Sequence, residues 1–90
     1  MMGFVIQNIK TGKYLKHNGK TDDYPFDDVD RQEDAEVYPS FPHATFVSTW
    51  YTDYFEEWRV IDTETAKTYI RNKQEGLRFV PEPPTGIAHV

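Results

Sequence analysis

Apolar and polar positions alternate most clearly in two stretches of the chain, FVIQNIKTGKYLKH at residues 4–17 and WRVIDTETAKTYIRN at residues 58–72. Each is an alternating run of β-forming residues, a polar break and a second such run, which is the pattern of a β-hairpin. The two stretches echo one another. With one extra residue (Thr68) allowed in the second, Phe4 matches Trp58, Ile6 matches Val60 and Asn8 matches Asp62. Thr11 then matches Thr65, Lys13 matches Lys67 and Tyr14 matches Tyr69. Gly12 stands where a three-residue turn takes positive φ, a conformation that costs a residue without Cβ little. Ala66 occupies that place in the second stretch, and the steric cost of positive φ for alanine predicts a different turn there.

Between the two stretches, residues 21–36 carry eight acids against one Arg. They read as a loop with a short helical turn, Asp30 capping and Glu33 reaching back. Ala35 to Tyr38 reads as a short strand ended by Pro39. Ser40 resembles an N-cap, with Pro42 tolerated in the first turn. Ala44, Val47, Trp50 or Tyr51, and Tyr54 then fall at helical spacing, which predicts a helix over 41–52. A strand over the same residues stays open, because Thr45, Val47, Thr49 and Tyr51 also alternate and favour β structure. After Asn72 come a turn (KQEG), an edge strand (LRFV) and an extended PEPPTG segment.

The pattern predicts an α+β fold: a small antiparallel sheet built from two similar β-hairpins, with one helix packed on a face. Phe4, Ile6, Leu15, Val47, Trp50, Trp58, Val60 and Ile70 are the expected core. Residues 1–76 form the single domain, and 77–90 supply the edge strand and Pro-rich tail. Composition fits one small domain, since aromatics make up 16% of its 90 residues and a chain rich in rings and β-branched residues has the means to fold. Without cysteine, disulfide scaffolds, thiolate metal sites and cysteine nucleophiles are excluded. No apolar run approaches the ~20 residues of a membrane span and no signal peptide is evident, so the expected setting is cytoplasmic.

Charge is unevenly distributed. The formal net charge is −5, yet residues 1–20 contain four lysines and no acid. A basic first hairpin beside an acidic middle therefore gives a dipolar molecule, or one whose opposite charges balance within the fold. Metal chemistry finds little support. Asp28 and Asp30 open an alternation like that of a calcium loop, but the glycine and the closing Glu are missing. Asp22, Asp23, Asp27 and Asp28 read as a hydrated acidic loop. His17, His43 and His89 are spread along the chain without metal-ligand spacing, so no metal or cofactor is expected. Catalysis is equally weak: Glu56 and Glu57, adjacent on a strand, point to opposite faces, and His43 and Asp53 are nearly three helical turns apart. Glycines form no phosphate-cradling motif. The chain reads as non-enzymatic.

The run Phe4, Val5, Ile6, Gln7, Asn8 followed by Thr11, Gly12, Lys13, Tyr14, Leu15 resembles the opening hairpin of ricin-type and fascin-type β-trefoil repeats. That resemblance implies a structural role for the hairpin; the family's sugar-binding residues are unmatched. The order of a TGKYL hairpin, an acidic stretch, Asp34, Ala35, Val37, Tyr38, Ser40 and Ala44, and a closing Trp58–Val60 strand resembles short accessory proteins of bacteriophages and prophages. It implies action by contact with another macromolecule.

The leading expectation is a protein-binding module, including a phage-type modulator of a host protein, working through an acidic and aromatic surface. Its candidate residues are Asp22, Asp23, Tyr24, Phe26, Asp27, Asp28, Tyr51, Asp53, Tyr54, Glu56 and Glu57. Rings bring interface energy, and acids steer toward basic partners; nucleic-acid mimicry by these carboxylates is a sharper form. Two alternatives remain: carbohydrate or other ligand binding through Tyr14 or Tyr69, and nucleic-acid binding through Lys10, Lys13, Tyr14, Lys16 and Lys20. The second is disfavoured because alternation splits the lysines between two faces and the chain is acidic overall. A homodimer through an edge strand at Leu77–Val80 is a further expectation.

Overall fold

The structure is a computed structural model and describes residues 3–52, 56–72 and 78–82. The strands are β1 (Phe4–Asn8), β2 (Tyr14–His17), β3 (Phe26–Val29), β4 (Trp58–Asp62), β5 (Thr68–Asn72) and β6 (Arg78–Pro81), with the helix α1 (Phe41–Trp50) between β3 and β4. They form one six-stranded sheet in the order β3-β2-β1-β4-β5-β6, every pairing antiparallel. One helix packs on this sheet, so the fold is a small α+β unit.

The register at the centre is informative. Phe4 pairs with Asp62, Asn8 with Trp58, and Ile6 with Val60. Since Phe4 corresponds to Trp58 and Asn8 to Asp62, the strands are related by a local two-fold through the Ile6–Val60 pair. Further out, Gln7 pairs with Tyr14 and Ile61 with Thr68. Thr68 is therefore the counterpart of Tyr14, and Tyr69 that of Leu15, with no extra residue in the second stretch. The expected Tyr14–Tyr69 match fails because the sheet preserves which face a residue occupies and not its identity: Leu15 and Tyr69 both join the same core.

The turns correct a second expectation. At the first, the Asn8 N–H donates to Lys13 O and Gly12 N–H to Asn8 O, both at 2.8 Å. Asn8 Oδ1 accepts from the Lys10 and Thr11 backbone N–H groups at 2.8 and 3.1 Å. The second turn repeats these four bonds: Asp62 N–H to Lys67 O at 2.9 Å, Ala66 N–H to Asp62 O at 2.8 Å, and Asp62 Oδ1 from Glu64 and Thr65 at 2.9 and 3.3 Å. Ala66 sits at φ 64° beside Gly12 at 76°. The turn is the same, and alanine carries the strain.

The acidic stretch is partly strand. In β3, Asp27 lies opposite Lys16 and Asp28 opposite Leu15, so an opposite-charge cross-strand pair replaces the expected loop. The helical turn that follows is a 3-10 turn at Gln32–Asp34; Asp30 does not cap it, and the preceding Arg31 makes no side-chain cap bond. Arg31 Nε instead donates to Asp34 at 3.1 Å. The strand expected over Ala35–Tyr38 reduces to an isolated bridge between Phe4 and Tyr38.

Ser40 caps α1 by accepting from the His43 N–H at 3.3 Å. The helical alternative for residues 41–50 is thus the correct one. Its buried stripe is Ala44, Val47 and Ser48, small residues that let the helix approach the sheet. Between helix and sheet, Ile6, Leu15, Phe26, Tyr38, Trp58, Val60 and Phe79 complete the main core. Trp50, expected inside, is 65% exposed, because it stands on the opposite side of Val47 from Ala44 and Ser48. Ile70, also expected inside, is half-buried on the other face of the sheet, opposite Arg59. That face has a smaller cluster of Val5, Ala35 and Ile61 and a polar ladder. There Arg59 donates to Glu82 at 2.7 and 2.8 Å and to Gln7 at 3.1 Å, and Thr68 donates to Glu82 at 2.8 Å.

Candidate functional site

Two of the sequence segments rich in acids and rings meet in space. The loop between β2 and β3 and the end of α1 form opposite walls of a groove of about 550 Å³. Lys20, Thr21, Asp23 and Pro25 line one wall, and Val47, Trp50 and Tyr51 the other. Phe26 and Tyr38 lie beneath, with His17 and His43 beside them.

Local chemistry positions each wall. Asn18 holds the loop: its Nδ2 donates to Tyr24 O at 3.1 Å and to Asp27 at 3.2 Å, and its Oδ1 accepts from the Lys20 N–H at 2.9 Å. Lys20 and Asp23 form an exposed ion pair at 3.9 Å. On the helix, Tyr51 N–H closes the last turn onto Val47 O at 3.0 Å. The Phe46 and Tyr51 rings touch with centroids 5.7 Å apart. Phe46, Trp50 and Tyr51 are 52%, 65% and 56% exposed, a concentration of apolar surface on one short segment.

On the floor, the Tyr38 hydroxyl lies 2.9 Å from His17 Nε2, and the His43 ring also packs on Tyr38, with centroids 5.2 Å apart. His17 also packs on Phe26, the ring centroids 4.8 Å apart and the planes tilted by 47°. Burial pushes the Tyr38 phenol well above its ordinary range, with the Glu36 charge adding. The hydroxyl therefore stays protonated and donates whenever Nε2 is the bare nitrogen. This arrangement sets hydrogen-bonding groups between a polar loop and an apolar helix end. The hydroxyl of Ser48 is buried and donates to Ala44 O at 2.8 Å, so it is not poised as a nucleophile. Among the described residues, no three His, Asp or Glu side chains come together to hold a metal.

The expected site residues divide accordingly. Asp22, Asp23, Tyr24, Asp27, Asp28 and Tyr51 are exposed, and Asp23 and Tyr51 face the same groove. Phe26, expected on the surface, is only 5% exposed: it faces the helix from β3 as Phe79 does from β6, and only helps line the groove. Glu56 and Glu57 are half-buried near the first turn, where Glu57 O accepts from the Ile9 N–H at 3.0 Å. Asp53 and Tyr54 lie outside the described residues. Of the basic set, Lys13 pairs with Asp30 at 3.6 Å, Lys16 faces Asp27 across the strands, and Lys20 pairs with Asp23. Lys10 is exposed in the first turn. Acids thus stand beside three of the four lysines. Tyr14 and Tyr69, expected to be exposed, are half-buried; Tyr14 packs on the Val5–Ile61 cluster and Tyr69 on the main core. Sequence reasoning missed Trp50, Phe46 and the two histidines as groove and ridge residues. Only the placement of Tyr38 between His17 of β2 and His43 of α1 brings the two histidines together.

No family model matches the chain, and neither does any curated protein or solved structure. No helix of the described residues is long and apolar enough to cross a membrane.

Proposed function

We propose that the chain is a non-enzymatic protein-binding module whose groove takes a segment of a partner protein carrying an apolar side chain flanked by basic residues. The observation that carries this reading is the convergence of Asp23 and the Trp50–Tyr51 edge on one groove. Exposed rings supply contact area at small entropic cost, and the acids Asp22 and Asp23 of the loop between β2 and β3 raise the encounter rate with a basic segment. A phage-type modulator of a host protein is the form of this reading that the sequence resemblance favours.

The scaffold, on the same reading, is a pair of similar hairpins set side by side about the Ile6–Val60 pair. Its support is the repeated set of turn bonds. Such a frame holds the helix rigidly and leaves recognition to the loop and the helix end.

Selection of a random peptide library on the immobilised chain tests the function. Enriched sequences should pair Lys or Arg with an aromatic or long aliphatic residue, and binding should weaken as salt rises. Tyr51→Ala and Asp23→Lys should each reduce that binding about tenfold or more. Enrichment indifferent to both substitutions overturns the reading. So does retention of glycans or single-stranded oligonucleotides in place of peptides.

A further inference from the structure

The far side of Trp50 carries a second feature. Pro42, Phe46 and Trp50 stand four residues apart and form a raised row along α1. Beside it runs the row Phe41, Thr45 and Thr49, which is low in its middle. These rows, with Arg78 and Phe79 of β6, line a second groove of about 480 Å³. We propose that α1 is the interface of a two-fold homodimer, the Phe46–Trp50 ridge of each copy lying in the trough over Thr45 and Thr49 of the other.

Three observations favour a second copy as the occupant. First, the geometry is self-complementary: rows spaced four residues apart interdigitate when two helices cross at about −50°, and one helix presents both the ridge and the trough. Second, residues 41–52 contain no Asp, Glu, Lys or Arg. The helix faces of two copies of a chain at −5 can therefore meet without opposing like charges, with Arg78 on the β6 side of the groove, whereas a charged partner finds no ion-pair partner on the ridge. Third, the hydroxyls of the trough need nothing from outside. Thr45 Oγ1 donates to Pro42 O at 3.1 Å and Thr49 Oγ1 to Thr45 O at 2.8 Å, so the trough behaves as an apolar surface and can be dried without stranding a donor.

Area sets the strength. Phe46 and Trp50, at 52% and 65% exposure, offer on the order of 250 Å² between them. Even with the trough walls the contact stays below the roughly 800 Å² per partner of a standard interface, in the size range of weak and transient association. The dimer is accordingly reversible, with a dissociation constant in the micromolar range or weaker. It shares Trp50 with the peptide groove but otherwise uses different residues.

Sedimentation equilibrium of the full chain, from low micromolar to several hundred micromolar, tests the proposal. The weight-average mass should climb from the 10.6 kDa of one chain toward twice that value. Phe46→Ala should shift the midpoint at least tenfold to higher concentration, and Thr49→Glu should hold the chain monomeric throughout. Circular dichroism of both variants checks that they remain folded. Asp23→Lys, which tests the peptide groove and lies off α1, should leave the association unchanged. A native chain that stays monomeric over the whole range sinks the proposal. So does a dimer that folded Phe46→Ala and Thr49→Glu leave intact, as an edge-strand dimer through β6 would.

Discussion

Strands β1 and β4 pair about the Ile6–Val60 centre and the turns that follow them share the same backbone hydrogen bonds, yet the two halves of the sheet finish their cores and edges differently. Phe4 is half-buried and its counterpart Trp58 is 3% exposed; Leu15 is buried where Tyr69 is half-buried against Phe41 at 4.7 Å. Outside these, β3 closes one edge with Asp27 and Asp28, and β6 closes the other with Val80 and Pro81. Charges and proline both discourage further strand pairing. The second face differs too: residues 35–37 cover the first half with apolar contacts, whereas Arg59 and Glu82 tie the second half together. Backbone register and turn bonds are thus held in common, and side-chain volume is distributed as each half requires.

The sharpest test of that unevenness compares Trp58→Ala with Phe4→Ala. If burial decides, removing Trp58 from the main core costs about 3–5 kcal/mol, and removing half-buried Phe4 costs about half as much or less. Urea unfolding followed by circular dichroism measures both. Equal losses at the two positions would mean that the local two-fold extends to the energetics, contrary to the burial pattern.

Much of the frame is readable from the chain, and the reasons are local. The alternating runs announce β1, β2, β4 and β5. Ser40 before Phe41 and Pro42 announces the helix start, because a cap is satisfied by its own neighbours. Features decided by distant residues are harder to read. An acidic run such as Phe26–Val29 looks like a loop until Lys16 lies opposite Asp27. Trp50 looks like a core residue because the helix pattern contains more rings than its narrow stripe can bury. At the groove, Asp23 and Tyr51 could be singled out by composition, but nothing in sequence spacing joins His17 to His43 across Tyr38. Ala66 misleads for another reason: the turn is imposed by backbone and Asp62 bonds that outweigh the strain of one residue.

That imbalance can be measured. Ala66 at φ 64° occupies a region costing an L-residue about 1–2 kcal/mol, partly offset because alanine restricts the unfolded chain more than glycine does. Ala66→Gly should therefore stabilise the protein by up to about 1 kcal/mol, and Gly12→Ala should destabilise it by a similar amount. In space nothing obstructs the second change, since a Cβ on Gly12 would meet no atom within 4 Å; its cost is conformational. Opposite signs for the two substitutions support a single turn type in both hairpins. A loss of stability in Ala66→Gly would show that alanine contributes something there beyond its backbone geometry.

The smallest effect separates the turns by titration. Asn8 is 6% exposed, and an amide suits that burial because an ionised carboxylate would lose its hydration. Asp62, less buried, can carry charge, and the Glu64 backbone N–H leads the interactions that hold its carboxyl below the ordinary 3.8. Glu82 is held below 4.5 chiefly by its bond from Arg59. A depressed folded-state pKa contributes stability that is present above the unfolded value and is lost as pH falls through the folded one. Both groups therefore weaken the fold on acidification, below about pH 4, while the Asn8 turn does not respond. In thermal melts from pH 6 down to pH 2, Asp62→Asn should start slightly below the native chain and converge with it, because the native carboxylate is by then protonated. Glu82→Gln should flatten the same decline from a different residue, and the two effects should add, because Asp62 accepts from Glu64 and Thr65 whereas Glu82 accepts from Arg59 and Thr68, with no partner shared. A constant gap between native and Asp62→Asn at every pH would mean that the second turn draws on the shape of its acceptor alone, as the first one does, and that its charge is immaterial.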